Sequence, residues 1–295
     1  MTRLQQRLGA GEFVVTAEIA PPKGTDVAVA LETADNLADL AAINVTDNQG
    51  ANMRLSALVL SALLVREGLE PVLQITCRDR NRMALQSDLL GAAALGIKNL
   101  LVLSGDHARF GDHPEARSVF DLDSVQLLGA VADLVAGRDM AGKQLQQAPE
   151  FFAGAAVAPE AEPFELMFQK TAKKVAAGAR FFQTQAVFDP ERFKFFMASA
   201  RELEVPVLCG ILLLKNAGMA RYLNRNIPGV KVPELLIERL DAARYPLDEG
   251  VAIAREMVAV ARDCCQGVHL MTLGHEERIA EILGHEVSTL EEGTC

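Results

Sequence analysis

Glu18 stands inside the apolar run Val14-Val15-Thr16-Ala17-Glu18-Ile19, which makes it a candidate to hold and transfer a proton. A structural carboxylate in an ion pair is the plain alternative. Thr46, Asp47 and Asn48 put a hydroxyl, a carboxylate and an amide together after a second apolar run, a grouping that suits a turn equally well. Asp106 follows Leu100-Leu101-Val102-Leu103-Ser104-Gly105, where the glycine permits close approach of the backbone to a flat ring; a loop or capping aspartate is the alternative. Gln183 and Gln185 are two apart in another run and would share one face of a strand. Each amide both donates and accepts, which matches the edge of a nitrogen heterocycle, although buried glutamines also pair with neighbouring backbone. Lys170 and Lys174 are four apart, so they form either a solvated helix face or a phosphate contact.

Several familiar chemistries are absent from the sequence. It contains no G-x-x-x-x-G-K-[ST] loop, no G-x-G-x-x-G fingerprint, no H-E-x-x-H pair and no G-x-S-x-G elbow. His269, a lone histidine in Val268-His269-Leu270-Met271, reads as a hydrogen-bonded core residue without a catalytic role. Cys77, Cys209, Cys264, Cys265 and Cys295 have neither C-x-x-C nor zinc-site spacing and read as free thiols, with no functional role for Cys295.

Something must position these side chains. Eight apolar runs bounded by turn residues, at 13–19, 42–46, 71–77, 100–103, 152–157, 180–188, 205–214 and 268–273, read as buried strands. Between them, helical periodicity covers 27–40, 55–67, 81–95, 125–135, 164–177, 190–203 and 251–264. Asp123 and Ser124 provide a helix start, Gly96 and Gly178 provide stops, and Pro190 suits a first turn. Eight such alternations predict a single-domain α/β fold, a (β/α)8 TIM barrel with chemistry at the C-terminal ends of its strands; a doubly wound open sheet is the runner-up. The domain is expected to span 1–295 with a short C-terminal extension, and the loops 107–117 and 137–149 are the long interruptions.

Composition narrows the partners. Fifty per cent hydrophobic residues suffice for a large core, and a formal charge of -10 disfavours nucleic acid and anionic lipid. No apolar run reaches the roughly 20 residues of a membrane span, and the N-terminus has no signal-like apolar segment, so a cytoplasmic protein without membrane insertion is expected. An acidic surface is compatible with a homo-oligomer.

The residues singled out resemble those of the methylenetetrahydrofolate reductase family, flavin-dependent barrels. The likeness rests on Glu18-Ile19-Ala20-Pro21-Pro22-Lys23-Gly24, Asn44-Val45-Thr46-Asp47, Thr76-Cys77, Ser104-Gly105-Asp106, Phe120-Asp121-Leu122-Asp123, the run Ala177 to Gln185, and Gly210-Ile211-Leu212, in joint order over nearly the whole chain. It implies reduction of 5,10-methylenetetrahydrofolate to 5-methyltetrahydrofolate, or the reverse. Glu18 would be the general acid that protonates the folate's bridging nitrogen, hydride would come from reduced flavin, and Asp106 would be the carboxylate beside flavin and folate. Gln185 would be the pterin amide, with Gln183, Met219 and His275 on the substrate side.

The same resemblance assigns flavin contacts to Thr46, Gln74, Ser104, Gly105, Asp106, Asp121, Ala158 and Lys174, with FAD as cofactor and FMN as the alternative. This chain departs from the better-known bacterial pattern at several of these positions. Histidine is familiar at Gln74 and Glu162, arginine at Ser104, tyrosine at Ala158, an amide at Met219, an aromatic at Leu223, and an arginine near His275. The C-terminal run Gly267 to Glu276 is closer to short reductases of the acetyl-CoA one-carbon route, which implies NAD(P)H or an electron-delivering partner subunit as the reductant. The departures also motivate an alternative: a catalytically silent folate-binding barrel, or an accessory subunit of a one-carbon or corrinoid complex.

Overall fold

Residues 1–227 and 229–284 are described in a computed structural model. The end of the expected C-terminal extension, Cys295 included, lies outside the described residues. The order of elements is α1 (Arg3–Gly9), β1 (Val14–Ile19), α2 (Ala28–Asp35), β2 (Ala42–Val45), α3 (Ala57–Arg66), β3 (Pro71–Thr76), α4 (Arg82–Ala94), β4 (Asn99–Leu103), α5 (Ser124–Val135), β5 (Phe152–Val157), α6 (Phe164–Ala176), β6 (Phe181–Ala186), α7 (Pro190–Ala200), β7 (Val207–Leu212), α8 (Ala217–Asn226), α9 (Glu234–Ala242), α10 (Pro246–Cys264), β8 (Gly267–Met271) and α11 (Ile279–Leu283). The eight strands pair in sequence order and β8 closes onto β1, all parallel. The fold is a single-domain (β/α)8 barrel.

The apolar runs became strands because parallel strands in a barrel are covered on both faces, outside by helices and inside by one another. Ala17, Ile43, Leu100, Val102, Ala155 and Phe182 face outward into the shell of helices. Their alternates Val14, Ala42, Val72, Leu101, Phe152, Phe181 and Leu208 form a separate inner group closed by Leu4 and Leu8 of α1. That short helix, capped by Thr2 Oγ1 on the Gln5 amide, therefore plugs the end of the barrel opposite the strand C-termini.

Several boundaries differ from expectation for local reasons. The periodic stretch 27–40 is helical only to Asp35. α10 begins at Pro246, ahead of the expected start at 251, because a proline at the first position and Asp248 and Glu249 in the first turn suit a helix N-terminus. The polar helices α8 and α9 fill the stretch after β7, where the expected elements left a gap before 251. No described helix is long and apolar enough to cross a membrane.

Glycine sets the barrel's internal clearance at one position in particular. A Cβ on Gly154 would lie 2.4 Å from the Phe181 ring, which fills the interior beside Phe152 at 5.1 Å between ring centroids. Gly154→Ala is therefore expected to destabilise the protein by about 1–3 kcal/mol through overpacking, seen as a lower urea midpoint with an unchanged m-value. An unchanged midpoint would show that the aromatic layer can shift.

Candidate functional site

Above the aromatic layer the barrel interior turns polar. Thr16, Asn44, Gln183 and His269 come from β1, β2, β6 and β8, and all are buried. Asn44 Nδ2 donates to Gln183 Oε1 at 2.7 Å, and Gln183 Nε2 donates back to Asn44 Oδ1 at 3.2 Å and to Thr16 Oγ1 at 3.4 Å. Thr16 Oγ1 is 3.0 Å from His269 Nδ1. One residue pair further along β1, Glu18 Oε2 is 3.6 Å from His269 Nε2, while Glu18 Oε1 accepts from Gln49 Nε2 at 2.9 Å. Glu18 is 7% exposed. It thus stands where the buried polar level meets the mouth, and among the described residues no Lys or Arg lies within ion-pair distance of it.

The charged groups after β3 are arranged differently. Arg78, Arg80 and Arg82 occupy alternate positions, and each is bonded to carboxylates: Arg78 to Asp79 at 2.6 Å, Arg80 to Asp47 at 2.7 Å and Asp88 at 2.8 Å, and Arg82 to Asp121 at 2.9 Å. Asp47 also accepts from the Thr76 amide at 2.9 Å and the Thr76 hydroxyl at 2.8 Å, so this buried carboxylate ties β2 to β3. The Arg82 guanidinium and amide hold the Asp121 carboxyl down at about 2.

A cleft of about 640 Å³ opens between the ends of β4, β5 and β6 and one side of α6. Ser104, Gly105, Asp106, Ala158, Lys174 and Gln185 line it. Gly105 has φ +84°, and a Cβ there would come within 3.0 Å of Thr76 Cβ, so the strand-to-loop turn requires glycine at this rim. Gln185 Oε1 and Thr46 Oγ1 are buried without a hydrogen-bond partner among the described residues. Such orphans are costly in a folded protein, and a ligand bearing N–H or O–H groups would satisfy them. Lys174 Nζ donates to the Ala156 carbonyl at 2.5 Å, and burial, helped by Lys170, pushes its amine down to about 8. The cleft therefore joins apolar walls, amide and carboxylate groups and the amines of Lys170 and Lys174, a donor set that fits a flat heterocycle carrying an anionic tail.

The sequence-derived candidates divide into three groups. Six of them line the cleft. Glu18, Thr46, Gln74 and Gln183 occupy inward strand positions, and both ends of the Gln183 amide are engaged by Asn44 and Thr16. Asp121 pairs with Arg82, Met219 packs with the apolar group under α8 and α9, and His275 Nδ1 lies 3.2 Å from Glu277. Glu162 lines the cleft and pairs with Arg192. His269, expected to be a hydrogen-bonded core residue, is buried and lies within hydrogen-bond distance of Thr16. A larger groove of about 820 Å³ between α2 and α11 holds none of the candidates.

A family model described as methylenetetrahydrofolate reductase matches residues 3–286. The chain is 29% identical over 279 residues to the 5,10-methylenetetrahydrofolate reductase of Salmonella typhimurium, across 90% of this chain and 88% of that protein. It is 27% identical over 279 residues to the enzyme of the same name from Escherichia coli, with the same two coverages. Against methylenetetrahydrofolate reductase 2 of Schizosaccharomyces pombe it is 26% identical over 266 residues, 79% of this chain but 38% of that longer protein. Among solved structures, oxaloacetate acetylhydrolase superposes with a TM-score of 0.53 at 12% identity, across 91% of this chain and 79% of that one, which is a likeness of fold alone.

The lowered Lys174 amine has a stability consequence. Between about 8 and the ordinary value of 10.5 the unfolded chain holds a proton that the folded chain releases, so this group makes stability rise with pH through that window. Lys174→Met, which carries no charge, is expected to be more stable than the parent protein by about 1–2 kcal/mol at pH 7. That advantage should shrink toward pH 10 in urea titrations; a difference independent of pH would mean that the amine is well solvated.

Proposed function

Because this chain belongs to the methylenetetrahydrofolate reductase family, a family of oxidoreductases, we propose that it interconverts 5,10-methylenetetrahydrofolate and 5-methyltetrahydrofolate with Glu18 as the proton donor. The position of Glu18 carries this reading. It is a carboxyl group at the boundary of a buried polar level and an open mouth, held by a neutral amide and an imidazole, and free of the arginines that neutralise Asp47, Asp79 and Asp121. A carboxyl group without a permanent cationic partner can carry a proton and yield it to a substrate nitrogen.

The cofactor of the proposed reaction is a flavin, FAD in the first instance and FMN as the alternative, and a bound reduced flavin supplies hydride. Ser104, Gly105 and Asp106 would hold its ring system, and Lys174, with Lys170 one turn before it on α6, would meet a phosphate, since the arginines after β3 are already paired. The orphaned Gln185 oxygen supports a role in taking an N–H of the pterin. The carboxylate of Asp106, exposed at the rim, would favour the cationic iminium that forms when the folate's five-membered ring opens. Electrons would enter from NAD(P)H or from a partner protein.

Purified protein is expected to show a flavin absorbance spectrum that bleaches on anaerobic addition of methyltetrahydrofolate. Glu18→Gln, which keeps the shape but carries no transferable proton, should keep its bound flavin and lose about 10²–10⁴-fold in folate turnover. Normal turnover by that variant would overturn the assignment of Glu18. A colourless protein that also refuses added FAD and FMN would favour a silent folate-binding subunit.

A further inference from the structure

Four strands contribute a directed run of hydrogen-bonding groups that ends on Glu18. Asn44 donates to Gln183, Gln183 donates to Thr16, Thr16 meets His269 Nδ1, and His269 Nε2 faces Glu18 Oε2. Each group but the last pair lies within hydrogen-bond distance. An apolar layer would fill this part of the barrel at lower cost, because every buried polar group must be matched or else costs about 1–3 kcal/mol. Asn44 and Gln183 are matched reciprocally, and the run from Gln183 through Thr16 and His269 terminates on the carboxyl group at the mouth.

We propose that His269 is the positioning residue for Glu18, held by Thr16 in the Nε2–H tautomer so that its N–H stabilises the carboxylate that appears as Glu18 gives up its proton. The assignment deepens the proposed function and holds only if Glu18 is the proton donor. The distances at Thr16 favour one tautomer. Its hydroxyl accepts from Gln183 at 3.4 Å and its proton has the ring nitrogen at 3.0 Å as the nearer acceptor, and an imidazole that accepts at Nδ1 carries its proton on Nε2. Thr16 has one competing acceptor, the Val268 carbonyl at 3.4 Å, which is farther than the 3.0 Å to the ring.

The 3.6 Å separation at Glu18 is longer than a hydrogen bond. Catalytic contacts of this kind are often long without substrate and tighten in the reacting complex. Contact made mainly as charge develops lowers the barrier without tightening substrate binding. His269 faces Oε2, so the proposed step takes the proton from Oε1, which accepts from Gln49 Nε2 at 2.9 Å. That bond strengthens once the proton has gone and the oxygen carries charge. In the step itself the Oε1–H bond breaks, the new N–H bond forms on the folate's bridging nitrogen, and the negative charge left on Glu18 is met by His269 from the barrel side and Gln49 from the mouth.

The test compares the full-length parent, Glu18→Gln, His269→Leu, His269→Gln, Thr16→Val and Thr16→Ser in anaerobic flavin reduction by methyltetrahydrofolate, with circular dichroism as a check of folding. His269→Leu should lose about 10²-fold in the limiting rate with KM and flavin content unchanged. His269→Gln, which retains an N–H donor, should recover most of that loss, and Thr16→Ser should match the parent while Thr16→Val does not. A folded His269→Leu with the parent's limiting rate, alongside an inactive Glu18→Gln, overturns the role of His269 alone; an active Glu18→Gln overturns the proton-donor reading and this proposal together. A readout independent of turnover is the ¹⁵N spectrum of the His269 ring in the folate-free protein. Protonation at Nε2, with that preference lost in Thr16→Val, is the expected result, and a ring protonated at Nδ1 in the parent overturns the proposal even if His269→Leu is slow or fails to fold.

Discussion

Closure of eight parallel strands into a barrel decides what each inward side chain must do. Every second residue of every strand points into a space shared by all eight, so the interior has to be filled level by level. At the closed end the filling is aromatic and aliphatic, with α1 as a plug and Gly154 making room for Phe181. One level higher it is polar and almost fully paired. The mouth inherits its chemistry from that sequence of levels, because Glu18 rests on a layer that can orient it and does not rest on hydrocarbon.

Charge is distributed by the same geometry. The acidic residues beside β3 are matched by arginines presented at alternate positions of one segment, and these pairs fasten strand ends and helix starts to one another. Truncating either partner would leave a partly buried charge exposed to a medium that solvates it poorly. Glu18 and Lys174 are treated otherwise. Each is buried at the edge of an opening, and each meets neutral partners: an amide and an imidazole for the carboxyl group, a backbone carbonyl for the amine. Groups left in that condition are the ones whose protonation a ligand can change.

The mouth also retains unmet hydrogen-bonding capacity. Thr46 Oγ1, just past the end of β2, and Gln185 Oε1 of β6 are buried orphans, while the amides of Asn44 and Gln183 deeper in the barrel are paired. Orphans of this kind at a rim are groups that a polar ligand would satisfy. Gly105 serves the same end by holding the β4 loop close against Thr76, which keeps the rim narrow beside Asp106.

The apolar runs, the glycine stops and the proline starts determined the order of strands and helices, because a strand covered on both faces must be apolar over its length and a helix must end where its backbone can turn. The fragments around Glu18, Asp106 and Gln185 likewise carried the family likeness, since short motifs are local. The helices α8 and α9 were not among the expected elements: they are polar on average, and only a few apolar residues on one face, Ala217, Ala220 and Leu223 in α8 and Ile237 and Leu240 in α9, are buried. Nor was the division of labour between neighbouring groups legible. Gln183 and Gln185 look equivalent along the chain, yet one is paired with Asn44 and Thr16 and the other lines the cleft. Thr16 and His269 are 253 residues apart and Glu18 meets His269 across the seam where β8 closes on β1. Closure of the barrel alone makes them neighbours, since register across that seam is set by packing of the whole sheet and leaves no local trace in either strand.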